Sequence, residues 1–198
     1  MLQLSPYKVF LASKSPRRQE LLRGMDIEFE VLTKEVDETF PSEWNDFRIA
    51  LMLAERKALA FDEKELPQDF LLIAADTIVI VDSLILNKPE TRTEAIGMIR
   101  MLSGRQHTVV TAVSLRTRKH LSTFHEASDV RFGVLEADEI EWYVDKYKPY
   151  DKAGAYGIQE WIGYVAIASV EGSFFNVMGL PTHRLYHELK QLAQSEKQ

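Results

Sequence analysis

Asp76 is the first candidate for chemistry. It lies in FLLIAADTIVIV, residues 70–81, where only Thr77 is otherwise polar. A carboxylate in an apolar strand needs a cation, a metal ion or several hydrogen bonds, because desolvating it bare is costly. Four cations, Arg17, Arg18, Lys57 and Lys88, stand on segments that flank apolar strands. Such a set suits a polyphosphate, with cations to bind it and a carboxylate to hold a metal ion or activate water. Taken alone, Asp76 is equally well explained as a structural group that caps a turn or pairs with a buried base.

The arginines stand in KVFLASKSPRRQELL, residues 8–22. Val9-Phe10-Leu11-Ala12 reads as a short buried strand, and Gln19-Glu20-Leu21-Leu22 are good helix formers. Ser15 is a natural N-cap, and Pro16 suits the first helical position. Arg17 and Arg18 then fall in the first helical turn, where the helix dipole opposes a cation by a few tenths to about 1 kcal/mol. An anion bound there reverses that sign and collects N–H groups, serine hydroxyls and guanidinium forks together. Two solvated surface arginines are the alternative. Further on, DKAGAYGIQ, residues 151–159, has two glycines that permit close backbone approach. Gln159 carries both a donor and an acceptor, which suits a base edge. By spacing alone, an ordinary flexible loop is the better account of it.

The elements that must position these groups follow from the hydrophobic pattern. Strands are expected at Phe29–Leu32, Leu71–Ala75 with a continuing or second strand at Ile78–Val81, Leu84–Leu86, Thr108–Arg116, its hairpin partner within His120–Phe132, and Tyr164–Val170. Helices are expected at about Glu43–Phe61, Thr93–Leu102, Ala137–Tyr147 and Thr182–Leu192. The first of these puts Phe47, Ala50, Leu51, Ala54, Ala58 and Phe61 on one stripe, with Lys57 at its edge. A lysine snorkelling from a buried stem explains that placement without any further role. The tail Ala193–Gln198 is polar and expected to fray. Strands and helices mix without strict alternation, which points to an α/β architecture with a mixed sheet.

The 198 residues fit one domain. A formal net charge of −6 argues against a protein that coats nucleic acid. The absence of cysteine excludes disulfides and thiolate metal sites, and the histidines lack close metal-ligand spacing. MLQLSPYK lacks signal-peptide architecture, and no apolar run approaches the roughly 18 residues of a membrane span. A cytoplasmic protein is the expectation.

Leu11-Ala12-Ser13-x-Ser15-Pro16-Arg17-Arg18-x-Glu20-Leu21-Leu22 resembles the signature of the Maf family of nucleotide pyrophosphatases. Ala75-Asp76-Thr77, Lys88-Pro89, Leu102-Ser103-Gly104, His107, Thr111-Ala112-Val113 and residues 151–159 resemble further Maf motifs in the same order. Gly172-Ser173-Phe174-x-Asn176-Val177-x-Gly179-Leu180-Pro181 resembles its C-terminal signature. Lys14 and Glu160 stand where glycine is common, and Trp161–Val170 matches only loosely.

The resemblance implies the fold shared with inosine triphosphate pyrophosphatases, a long mixed β-sheet flanked by helices in two lobes with a central cleft. The implied reaction converts a nucleoside triphosphate and water to the monophosphate and pyrophosphate, with Mg²⁺ or Mn²⁺. Asp76 would be general base or metal ligand, with Glu38 a second metal candidate. Ser13, Arg17, Arg18, Lys57 and Lys88 would hold the triphosphate, and Thr77 and Gln159 would touch the base. Arg17, Thr77 and Gln159 match the subgroup acting on dTTP and UTP rather than the one preferring 7-methyl-GTP. The expected partners are the nucleotide and a second copy of the chain in a homodimer, with no stable nucleic acid and no membrane. A nucleotide-sensing regulator of septum formation without significant catalysis is the alternative, and Asp76 weighs against it because a pure sensor needs no water-activating carboxylate.

Overall fold

In the computed structural model, which describes residues 2–195, the first apolar run forms β1 (Lys8–Ala12) and the Ser15-capped segment forms α1 (Pro16–Gly24). The chain continues through β2 (Glu30–Val31), α2 (Arg48–Leu59), β3 (Phe70–Val81), β4 (Leu84–Leu86) and α3 (Arg92–Leu102). Then come β5 (Gln106–Arg116), β6 (Leu121–Phe132), α4 (Ala137–Tyr147), α5 (Trp161–Val165), β7 (Ile167–Glu171), α6 (Phe174–Met178) and α7 (Thr182–Ser195). The sheet has seven strands in the order β2-β1-β3-β5-β6-β7, with β4 added to β3. β1 runs parallel to β2 and β3, and the other pairs are antiparallel. The sheet is therefore mixed, as the pattern predicts.

Alternation divides the core between the two faces. Val9, Leu11, Leu71 and Ile73 pack with Leu21, Leu22, Ile99, Tyr143 and Leu185, on the side of α1, α3, α4 and α7. Phe10, Leu72 and Ala74 pack with Ala58 and Phe61, and Ile78 and Ala112 with Ala50 and Ala54, on the side of α2. Asp76 and Ala74 share that second face.

Three expectations need correction. The α2 helix does not begin at Glu43: Asp46 accepts from Arg48 N at 2.9 Å and starts the helix late. Phe47 is accordingly outside the stripe, half exposed and stacked on His125 at 4.4 Å between ring centroids. Of the continuing or second strand expected at 78–81, the continuing one forms, because β5 pairs without a break across Asp76 and Thr77. Tyr164–Val170 is not one strand. Ile162 and Ala166, four apart and both buried, supply a helical stripe for α5, and the strand starts only at Ile167. The tail is helical through Ser195 in α7, and the rest of the expected frayed segment, residues 196–198, lies outside the described residues.

His107 on β5 is 2% exposed, with Phe132 edge-on at 5.0 Å and its Nε2 2.8 Å from the Tyr156 hydroxyl. Burial pushes its pKa from an ordinary 6.5 down to about 4, with the charge of Asp129 opposing only in part. The unfolded imidazole takes its proton first, so acid favours unfolding. The contribution is whole above pH 6.5 and is lost as pH falls through about 4, by an amount approaching ~3 kcal/mol. Urea midpoints measured from pH 7 to 4.5 should therefore fall more steeply for the native chain than for His107→Gln. Parallel curves would show that the site does not control acid stability.

Candidate active site

β3 is paired with β1 up to Ala74 and with β4 from Val79. Along that edge residues 75–78 face no strand, and a cleft of about 600 Å³ opens there. Alternation sends Asp76 and Thr77 to opposite faces of the strand at this gap. Asp76 meets α2 through Lys57, whereas Thr77 meets α1 through Arg18. A ligand lying across the edge reaches both.

On the Asp76 side, the Lys57 ammonium bonds Oδ1 of Asp76 and lies 2.6 Å from Oε1 of Glu38. Lys88 Nζ lies 3.0 Å from the other Glu38 oxygen. Asp76 is 5% exposed, and its Oδ2 makes no hydrogen bond to a described residue. Burial raises the Glu38 carboxyl, but hydrogen bonds and charge from Lys57 and Lys88 outweigh it and hold the pKa near about 2. Glu38 is therefore ionised at any working pH. Lys57 is not a snorkelling lysine; its ammonium joins two carboxylates. Among the described residues, no group of three or more His, Asp or Glu side chains is arranged to hold a metal ion without a ligand's help.

The turn from β1 into α1 supplies the next wall. Ser15 caps the helix by accepting from Arg18 N at 3.5 Å, and Ser13 Oγ accepts from Ser15 N at 3.2 Å. Arg17 and Arg18, adjacent in sequence, diverge. Arg17 reaches across the cleft to Oδ2 of Asp151 at 2.7 Å. Arg18 turns inward and donates to Gly179 O at 2.8 Å, Ala75 O at 2.8 Å and Thr77 Oγ1 at 3.0 Å, with Ser13 Oγ at 3.4 Å. Burial pushes the Arg18 pKa down, and the charge of Asp76 pushes back. Its guanidinium remains a donor only, because arginine is not deprotonated in proteins. Arg18 is thus a half-buried brace between the β1–α1 turn, β3 and the end of α6.

On the Thr77 side, Thr77 and Thr111 are register partners on β3 and β5, with their hydroxyl oxygens 2.9 Å apart. Thr111 donates to Asn176 O at 2.9 Å. Asn176 is fully buried and tied to Val109 O and Ser128 Oγ. Gly179 closes α6 with φ +114°, a conformation that any side chain would strain. Gln159 folds back over Gly157, where an added Cβ would sit 3.1 Å from Nε2 of Gln159 and 2.9 Å from Cδ of Glu160. Oε1 of Gln159 is buried without a hydrogen-bond partner among the described residues. An orphaned buried acceptor beside a cleft is what an unliganded reading group leaves behind.

All nine sequence-predicted residues meet in this cleft: Ser13, Arg17, Arg18, Glu38, Lys57, Asp76, Thr77, Lys88 and Gln159. Seven cationic side chains and four carboxylates line it, in a chain whose net charge is −6. A local positive excess inside an acidic molecule focuses a polyanion. Sequence reasoning gave no role to Asp151, Lys152 or Tyr143. Lys152, 8% exposed, lies 2.7 Å from Asp151 and 3.0 Å from Glu160, and Glu160 in turn accepts from the Tyr143 hydroxyl. Burial and the Glu160 charge push the Tyr143 pKa up, keeping that hydroxyl a donor. This network anchors the loop that carries Gln159. The Glu160 departure was its visible signal, a charge where a small residue is usual.

The family model for Maf-like protein matches residues 8–192. A dTTP/UTP pyrophosphatase of Porphyromonas gingivalis is 52% identical over 194 residues, covering 97% of this chain and 98% of that protein. A dTTP/UTP pyrophosphatase of Bacteroides fragilis is 49% identical, covering 97% of this chain and 100% of its own length. The structure of a HAM1 protein from Coxiella burnetii superposes with a TM-score of 0.51 at 16% identity, covering 93% of this chain and 99% of that one. At that identity the likeness speaks for the fold alone.

Proposed function

The chain belongs to the Maf-like protein family, and from that premise we propose that it hydrolyses dTTP and UTP to the monophosphate and pyrophosphate. Modified pyrimidine nucleotides come within the same proposal. The observation that carries it is the gap at β3, where a buried carboxylate with its cations and a base-reading pair flank one strand edge. The relatives near 50% identity over almost their whole length carry the name dTTP/UTP pyrophosphatase.

In this reading Arg17, Lys57 and Lys88 bind the triphosphate and offset the charge that builds on departing pyrophosphate. Ser13 orders the turn before α1. Asp76 accepts a proton from the attacking water, a role worth about 10²–10⁴-fold when well positioned. Arg18 braces Thr77 more than it grips phosphate, since its guanidinium already serves four acceptors of the wall. Glu38 and Asp76 meet at one ammonium, so the two carboxylates fit a hard cation that arrives with phosphate oxygens. When bound, Mg²⁺ or Mn²⁺ would polarise the phosphoryl group.

Gln159 and Thr77 face the base. Uracil and thymine present an N3–H donor between two carbonyl acceptors, which one amide can pair with. Apolar Val109, Val177 and Met178 complete that end of the cleft. Incubation of the purified chain with dTTP and Mg²⁺ should release dTMP and pyrophosphate as initial products, and kcat/KM should favour dTTP and UTP over CTP, GTP, ATP and 7-methyl-GTP. Initial dTDP and orthophosphate would sink the reaction, and a preference for 7-methyl-GTP would sink the specificity.

A further inference from the structure

Thr77 and Thr111 sit between two groups of fixed polarity. At one end the guanidinium of Arg18 only donates, and it gives a proton to Thr77 Oγ1 at 3.0 Å. At the other end the main-chain carbonyl of Asn176 only accepts, and it receives the Thr111 hydroxyl at 2.9 Å. A threonine hydroxyl has one proton. Thr111 has given its own to Asn176, so the 2.9 Å contact between the two threonines is filled by the proton of Thr77. The relay therefore runs in one direction only, from Arg18 through Thr77 and Thr111 to the Asn176 carbonyl. Thr77 keeps one lone pair and no free proton.

We infer that Thr111 is a positioning residue for base selection, holding Thr77 as an acceptor that takes N3–H of uracil or thymine and rejects the N3 lone pair of cytosine. The inference rests on the proposed reading of the cleft, in which Thr77 faces the base. The ends of the relay are firmly held. Thr111 is fully buried in mid-sheet, and Asn176 is fixed by two further hydrogen bonds, to Val109 O at 3.0 Å and Ser128 Oγ at 2.9 Å. Arg18 is held by acceptors on three other residues. The Thr77 proton cannot be redirected to a ligand without leaving the buried Thr111 oxygen, which still donates to Asn176 O, with no donor of its own. A neutral hydrogen bond and an acceptor–acceptor clash together distinguish the two bases by about tenfold or more.

The experiment compares kcat/KM for UTP and CTP in the native chain, Thr111→Val and Thr111→Ser. Valine keeps the shape of Thr111 and removes the acceptor for the Thr77 proton, which then becomes free to donate to N3 of cytosine. In Thr111→Val, kcat/KM for CTP should rise and the UTP-to-CTP ratio should fall roughly tenfold. In Thr111→Ser, which restores the relay, the ratio should return to the native value. A native preference for UTP that survives in folded Thr111→Val overturns the relay and leaves the function standing. Equal native kcat/KM on UTP and CTP overturns the proposed base preference and the relay with it. If Thr111→Val does not fold, Thr77→Val decides, because it leaves mid-sheet Thr111 and its bond to Asn176 in place. It should lower kcat/KM for UTP about tenfold and for CTP by less than about threefold; an equal fall on both overturns the inference.

Discussion

Asp76→Asn is expected to lower kcat on dTTP by at least about a hundredfold while the protein stays folded. The substitution keeps the shape and removes the charge and the proton-accepting oxygen. General-base assistance is worth about 10²–10⁴-fold, and weaker holding of a metal ion adds to the loss. Folding should survive because the pair is asymmetric. Lys57 keeps a second carboxylate, Glu38 at 2.6 Å, and the new amide can still accept from it. The measurement is single-turnover and steady-state kinetics, with a thermal melt on the same preparation. Native turnover in the folded variant would assign Asp76 to structure alone.

The two arginines show how far the sequence reaches. RR after Ser15-Pro16 announces a cationic helix start, and the structure places both side chains at the cleft. Consecutive helical residues point about 100° apart, so the two must diverge. Which one turns inward depends on the roll of α1, set by burial of Leu21 and Leu22 against β1 and the C-terminal elements. That packing is long-range, and Arg18 meets residues as distant as Gly179. The same limit applies at Asp76. A lone carboxylate in an apolar strand announces a missing partner, and Lys57 announces a cation at the rim of a helix. Only the seating of α2 across β3 joins them.

Other parts were illegible for local reasons. The segment 161–170 alternates enough to resemble a strand, yet Ile162 and Ala166 also fit a helical turn, and burial of that pair decides for the helix. Asn176 stood in a recognisable motif without a role. Its main-chain carbonyl ends a chain of hydrogen bonds that starts at Arg18 on α1 and crosses the register partners Thr77 and Thr111. No spacing rule encodes a hydrogen-bond direction.

Lys57→Met is expected to cost about 4 kcal/mol of stability, because removing one partner of a buried pair strands the other charge, at about 3–5 kcal/mol. Methionine preserves the unbranched stem, so the seating of α2 on β3 changes little. The cost falls on Asp76, which is 5% exposed and whose side chain bonds no other described residue. Glu38 is less affected, since Lys88 remains 3.0 Å away and its carboxylate is 43% exposed. For a chain of this size the melting temperature should drop by roughly 8–16 °C. The double variant Lys57→Met/Asp76→Asn removes the stranded charge and should recover more than half of the loss. Urea unfolding of the native chain, both single variants and the double closes the cycle. Additive losses would mean that the pair is not coupled and that Lys57 acts through its stem. Strong coupling would mean that the ammonium is what permits an ionised carboxylate inside the sheet, ready for water and phosphate at the open edge of β3.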